Sequence, residues 1–236
     1  MIYRISQFNI VDIILVAAAI VPSIVLHELA HGYVAKWNGD YTAQRSGRLK
    51  FNPLVHFDII GFFMLLVAGI GFAKPVPVNP YNFRNRKKGI FTVAIAGVVV
   101  NFTLAFFAFG FIGIFGVVMT QAPSLNALWG YFRDFFSYLC VINLNLFFFN
   151  LIPIHPLDGF RIIEAFTKPT NRAVRFFQQN GKYFLLALIG LGVLVSIFEQ
   201  LGFPAWISYF DIIGTYLGYC NYGVQWVFSK CWWFLF

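Results

Sequence analysis

The chain has 236 residues, of which 59% are hydrophobic and only 11% charged, and its formal net charge is +8. Soluble domains carry about 25% charged residues, so this chain has too little polar surface to cover itself and lipid must be part of its solvent. The basic excess flanks apolar runs, which excludes a nucleic-acid surface as its simplest cause, and Cys140, Cys220 and Cys231 show neither CxxC spacing nor a disulfide framework.

A membrane span needs about 20 apolar residues. Residues 10–34 are the first candidate and read as a retained span rather than a cleaved leader. Residues 36–56 are polar and basic, with a turn at Asn52-Pro53, and predict a short β region at the membrane edge. An edge strand within 41–51 would let an extended peptide pair with it. Residues 58–72 are apolar but short, and 74–88 form a basic, proline-containing loop. Residues 90–119 predict a clear span, 121–130 a loop without basic residues, and 132–152 another span. Prolines break the chain at 153–159, and a short helix follows over 160–166. After a basic stretch at 168–182, residues 183–198 and 206–228 predict two further spans. The expected fold is an all-α polytopic membrane protein with about five transmembrane helices, a re-entrant segment and the short β region.

Fourteen of the seventeen Lys and Arg fall within 36–50, 74–88 and 161–182. Basic residues concentrate on cytoplasmic loops, so with the N-terminus outside these three segments are expected on the cytoplasmic side of a cell membrane, and the 121–130 loop on the outer side. Both flanks of 58–72 then lie on one side, which predicts that this segment enters and leaves by the same face. Backbone of that kind is tolerated at membrane depth only where protein or a water cavity covers it.

One span carries chemistry. His27-Glu28-Leu29-Ala30-His31 has two histidines four residues apart, on one helix face and within reach of one ion. Glu28 is turned about 100° from His27 and about 60° from His31, so it can reach a water on the metal without ligating it. A lone histidine is ordinarily structural, but ionisable groups inside an apolar span are expensive and by default functional. A catalytic zinc takes three protein ligands and one open position, so one Zn²⁺ per chain is expected, with a third ligand from elsewhere. His56, His155, Asp158 and Glu164 are the candidates. A carboxylate is favoured electrostatically, because two neutral imidazoles leave a buried ion at +2. Asp158 follows a run of prolines that frees the backbone to turn inward, yet it could equally cap the helix after it; spacing alone leaves both readings open.

These motifs together resemble the site-2 protease family of intramembrane metalloproteases. His27-Glu28-Leu29-Ala30-His31 matches its zinc motif, and residues 150–159, Asn-Leu-Ile-Pro-Ile-His-Pro-Leu-Asp-Gly, look like its second signature. Gly39-Asp40, the Asn52 to His56 stretch, the Ala73 to Asn79 stretch, and Ala96-Gly97 with Asn101 are similar to the compact bacterial branch without PDZ or CBS domains. The likeness covers roughly residues 20–165. Val98 stands where the family commonly has proline, and His155 where the branch often has one.

The resemblance implies that Asp158 is the third zinc ligand and Glu28 the general base. It implies hydrolysis of peptide bonds in or near the membrane segments of other proteins. The substrate helix must unwind to expose its carbonyls, and Asn101 and Asn150 could hydrogen-bond the opened backbone or simply join helices. Residues 1–166 are then the metalloprotease core, and 167–236 a basic cytoplasmic loop with C-terminal transmembrane helices. A non-catalytic, zinc-binding relative that holds membrane segments is the alternative, which the intact Glu28 disfavours. A zinc transporter would need polar residues through several spans, and the middle of 90–119 offers only Asn101 and Thr103. The partners expected are the lipid bilayer and a transmembrane protein substrate, with no nucleic acid.

Overall fold

A computed structural model of the chain describes residues 9–56, 74–121, 123–168 and 170–235. The first helix, α1 (Ile10–Trp37), starts at a reciprocal cap. Asn9 Oδ1 accepts from the Asp12 amide at 2.9 Å, and the Asn9 amide donates to Asp12 Oδ2 at 3.2 Å. Lys36 in its last turn complements the negative end of the helix dipole.

Two single helical turns follow, α2 (Thr42–Arg45) and α3 (Pro53–His56). The β region expected over 36–56 is not seen, and no strand occurs among the described residues. Local chemistry explains the difference. Asp40 Oδ1 accepts from the Thr42 amide at 3.0 Å and starts a turn, while Pro53, preset for a first helical position, follows Asn52, whose Oδ1 accepts from the Leu54 amide at 3.0 Å. The edge strand expected within 41–51 is absent for the same reason. The expected re-entrant segment at 58–72 lies outside the described residues.

Residues 74–79 are irregular and lead through a short 3₁₀ turn, Pro80–Asn82, into α4 (Arg86–Gln121). Its 36 residues make it about 54 Å long, well beyond the roughly 30 Å of a hydrocarbon core. Next come α5 (Asn126–Leu151), the nine-residue α6 (Asp158–Phe166) and α7 (Arg172–Gln200), which starts eleven residues before the predicted span. Asn171 caps it, and the basic residues read as a loop form its first turns. A 3₁₀ stretch, Ala205–Phe210, precedes α8 (Ile212–Cys231).

Among the described residues, four helices, α1, α4, α5 and α7, are long and apolar enough to cross a membrane. The more polar α8, with Asn221 and Gln225 in its length, falls outside that group. The long α4 is central and packs on α1, α5 and α6. Ala19, Ala105, Ala108, Leu139, Cys140, Leu144 and Phe228 form the main buried cluster. Its small residues let helices approach closely, the favoured device where lipid removes the hydrophobic drive between helices.

Candidate metal centre

His27 and His31 project from α1 toward α4, and both are buried. What lies opposite them on α4 is Gly97. A methyl group there would come within 2.5 Å of His27 Cε1 and of His31 Nε2, so only glycine leaves room for both rings. The rings meet edge to face with centroids 4.5 Å apart.

Each imidazole is held by its Nδ1. His27 Nδ1 lies 2.6 Å from Asn101 Oδ1, and His31 Nδ1 lies 2.7 Å from the Val93 carbonyl oxygen. Both partners are acceptors, so each Nδ1 carries the proton and each Nε2 presents a lone pair. The two Nε2 atoms are 2.9 Å apart.

Asp158 completes the group. It is the first residue of α6, and its side chain makes no capping bond to that helix. The N-cap reading of this residue therefore does not hold. Its Oδ2 lies 3.4 Å from His27 Nε2 and 3.1 Å from His31 Nε2, is buried, and accepts no hydrogen bond. The close passage of α6 over the end of α5 depends on Gly159, where a Cβ would meet the backbone of Leu151 and Ile152.

Three acceptor atoms thus converge with no donor among them, an arrangement that repels itself unless a cation or a proton sits between them. All three lie within 4.8 Å of one another. Tetrahedral zinc with bonds of about 2.0–2.1 Å separates its ligand atoms by roughly 3.3–3.4 Å, which the observed spacings approach. Two nitrogens and one carboxylate oxygen are a donor set of the kind catalytic zinc takes. The residues present fit the ion.

Glu28 projects from the same turn of α1. Its Oε2 accepts from the Val76 amide at 2.8 Å. Val76 lies between Pro75 and Pro77, which have no amide hydrogen, so it offers this carboxylate an isolated donor. The segment is held at both ends. Arg48 Nη2 donates to the carbonyls of Lys74 and Pro75, and the Asn79 amide donates to Asp40 Oδ2 at 2.6 Å.

The other ligand candidates lie elsewhere. His56 is fully buried with Nε2 at 3.0 Å from the Lys50 carbonyl oxygen. His155 packs its ring on Phe160, and Glu164 accepts from Gln178 Nε2 at 3.0 Å. None of them joins the group around Asp158. Asn150 donates to the Leu146 carbonyl of its own helix at 2.9 Å. A substrate contact by Asn101 does not fit its surroundings, because the residue is 0% exposed and both ends of its amide bond protein atoms. Several contributors escape a reading of motifs, namely the Val93 carbonyl, the Val76 amide, Ser23 and Asn143. The last two are polar residues inside apolar spans, and that was the available signal.

Comparison with known proteins follows the same line. The profile of peptidase family M50 matches residues 113–194, a stretch that includes Asp158. YwhC of Bacillus subtilis, provisionally named a zinc metalloprotease, is 42% identical over 173 residues, 72% of this chain and 76% of that protein. Rip2 of Mycolicibacterium smegmatis, also provisionally named a zinc metalloprotease, is 31% identical over 214 residues, 86% of this chain and 76% of its own. A zinc metalloprotease of Methanocaldococcus jannaschii is 28% identical over 191 residues, 76% of this chain but 45% of that protein. No solved structure matches the chain.

Proposed function

The chain belongs to peptidase family M50, and from that premise we propose that it is an intramembrane zinc metalloprotease cutting peptide bonds in or next to the membrane segments of other proteins. The convergence of His27 Nε2, His31 Nε2 and the unpartnered Asp158 Oδ2 carries this reading. These three residues hold one zinc ion per chain. Zinc, when bound, supplies a Lewis acid that polarises the scissile carbonyl and makes water acidic enough to attack at neutral pH.

Glu28 is the general base. With Oε2 held by the Val76 amide, Oε1 takes the proton from the attacking water and later returns it to the leaving nitrogen. The imidazoles keep their Nδ1 protons throughout, because Asn101 and the Val93 carbonyl hold them. Asn150, close in sequence to the ligand loop, remains the candidate contact for the substrate backbone.

The site's depth supports a membrane-embedded reaction. His27 lies ten residues from the end of α1, about 15 Å along the helix, and Gly97 lies at a similar depth from the start of α4. Both helix ends carry basic residues, which the charge rule assigns to the cytoplasmic face of a cell membrane. The remaining elements of this reading are about five spans with a re-entrant segment at 58–72, and a core over 1–166 followed by a C-terminal unit over 167–236.

Purified wild type in detergent should cleave a synthetic transmembrane peptide or casein, stop on adding a zinc chelator, and recover on adding zinc. Chelator-resistant cleavage, or equal cleavage by Glu28→Gln, would overturn the assignment.

A further inference from the structure

Asn101 can hold His27 in the ligating state only if its amide points one way. The oxygen must face Nδ1, because an NH₂ group there would demand a lone pair from Nδ1 and drive the ring proton to Nε2, the atom that must ligate. An amide can flip about its last torsion at little steric cost, so something must choose its orientation.

Two acceptors make that choice. Asn101 Nδ2 donates to Asn143 Oδ1 at 2.8 Å and lies 3.3 Å from the Ser23 carbonyl oxygen. Asn143 is oriented in turn. Its Nδ2 donates to Ser23 Oγ at 2.7 Å and to the Leu139 carbonyl at 2.8 Å, so its oxygen is left for Asn101. The Ser23 hydroxyl donates to the Ala19 carbonyl at 2.6 Å, so its oxygen is the acceptor. Backbone carbonyls, which cannot reverse roles, end the chain on two helices. All three side chains are 0% exposed, with no water to substitute for a misplaced partner.

We infer that Ser23 and Asn143 are positioning residues that fix the amide of Asn101 and, through it, the tautomer of His27 that binds metal. The inference rests on the zinc site proposed above and extends it to two residues that touch neither metal nor substrate. The hydrogen bonds run in one sense from His27 through Asn101, Asn143 and Ser23 to Ala19, so each link polarises the next and strengthens imidazole ligation.

The test is zinc affinity, measured by chelator competition on the full chain in detergent, with the melting temperature of the zinc-free protein as a fold control. Asn143→Leu should weaken zinc binding about 10-fold, the low end of what losing a direct partner of a ligating histidine costs, because Asn143 acts one hydrogen bond further out and the Ser23 carbonyl still faces Asn101. The deciding variant adds Asn101→Asp to Asn143→Leu. An ionised carboxylate has an acceptor oxygen at both ends and no donor to present to His27, so affinity measured well above the carboxylate's pKa should return to within a few fold of wild type. Unchanged affinity in Asn143→Leu, or an equal loss with and without Asn101→Asp, would overturn the inference, the second outcome marking Asn143 as packing. Wild type that binds no zinc would instead remove the underlying reading.

Discussion

At the scale of single residues, the site separates groups that hold the ion from the group that moves a proton. Glu28→Gln keeps the shape and the Val76 contact but cannot accept a proton. It should retain zinc and lose at least about 100-fold in cleavage, measured as peptide turnover beside metal content. Gly97→Ala should do the opposite and lose zinc, because the added methyl would stand within 2.5 Å of both imidazoles. Normal zinc occupancy in that variant would contradict the packing described for α4. Much of this layer was legible in the sequence, since His27, Glu28 and His31 declare themselves by spacing within one helix. Asp158 did not: it lies 127 positions after His31, and spacing alone left it open between ligand and cap. The outer partners were hidden for a different reason. The Val93 carbonyl and Val76 amide are backbone groups, and no side-chain motif announces them.

At the scale of elements, the segment over residues 74–79 ties the catalytic turn to the loops beside it. Val76→Pro would remove the amide that bonds Glu28. A hydrogen bond to a charged group is worth about 1.5–3 kcal/mol, so cleavage should fall roughly 10- to 100-fold with zinc content unchanged. Loss of zinc would mean that the segment supports the ligands instead. Asp40 anchors the same segment and brings its own pH dependence. Burial pushes its carboxyl up, but hydrogen bonds from Asn82, Thr42 and Asn79 outweigh that and hold it below the ordinary carboxylate range. A group lowered in this way stabilises the fold above its unfolded value of about 3.9, and that contribution disappears as pH falls through the lowered value. Wild type should therefore lose melting temperature on acidification below about pH 4, and Asp40→Asn should lose less. An identical acid slope in the two would exclude Asp40 as a source. Here sequence reasoning was weakest. Polar, basic composition suggested a β region over 36–56, whereas Asp40 and Asn52 spend their side chains on helical turns. Asx chemistry of this kind is local and outcompetes strand formation.

At the scale of the whole molecule, apolar length foretold the helices well, because hydrocarbon leaves the backbone few alternatives. Helix ends were harder to place. Arg172 and Arg175 read as loop residues, yet they open α7 behind the Asn171 cap. The C-terminal helix is bound into the body of the protein. Phe228 is 2% exposed and packs against Phe102, Phe106 and Phe109, and Trp232 Nε1 donates to the Phe106 carbonyl at 3.2 Å. Phe228→Ala should cost about 3–5 kcal/mol, read as a lower melting temperature in detergent, and an unchanged value would place α8 outside the cooperative core.

The central claim is that two distant stretches of sequence meet on one zinc ion. Metal content of the purified chain by mass spectrometry, beside His31→Ala and Asp158→Ala, tests it most directly. The account predicts about one zinc per wild-type chain, as three protein ligands require, with the metal lost from both variants while they remain folded. A folded wild type without zinc, or zinc retained at full occupancy in Asp158→Ala, would contradict it.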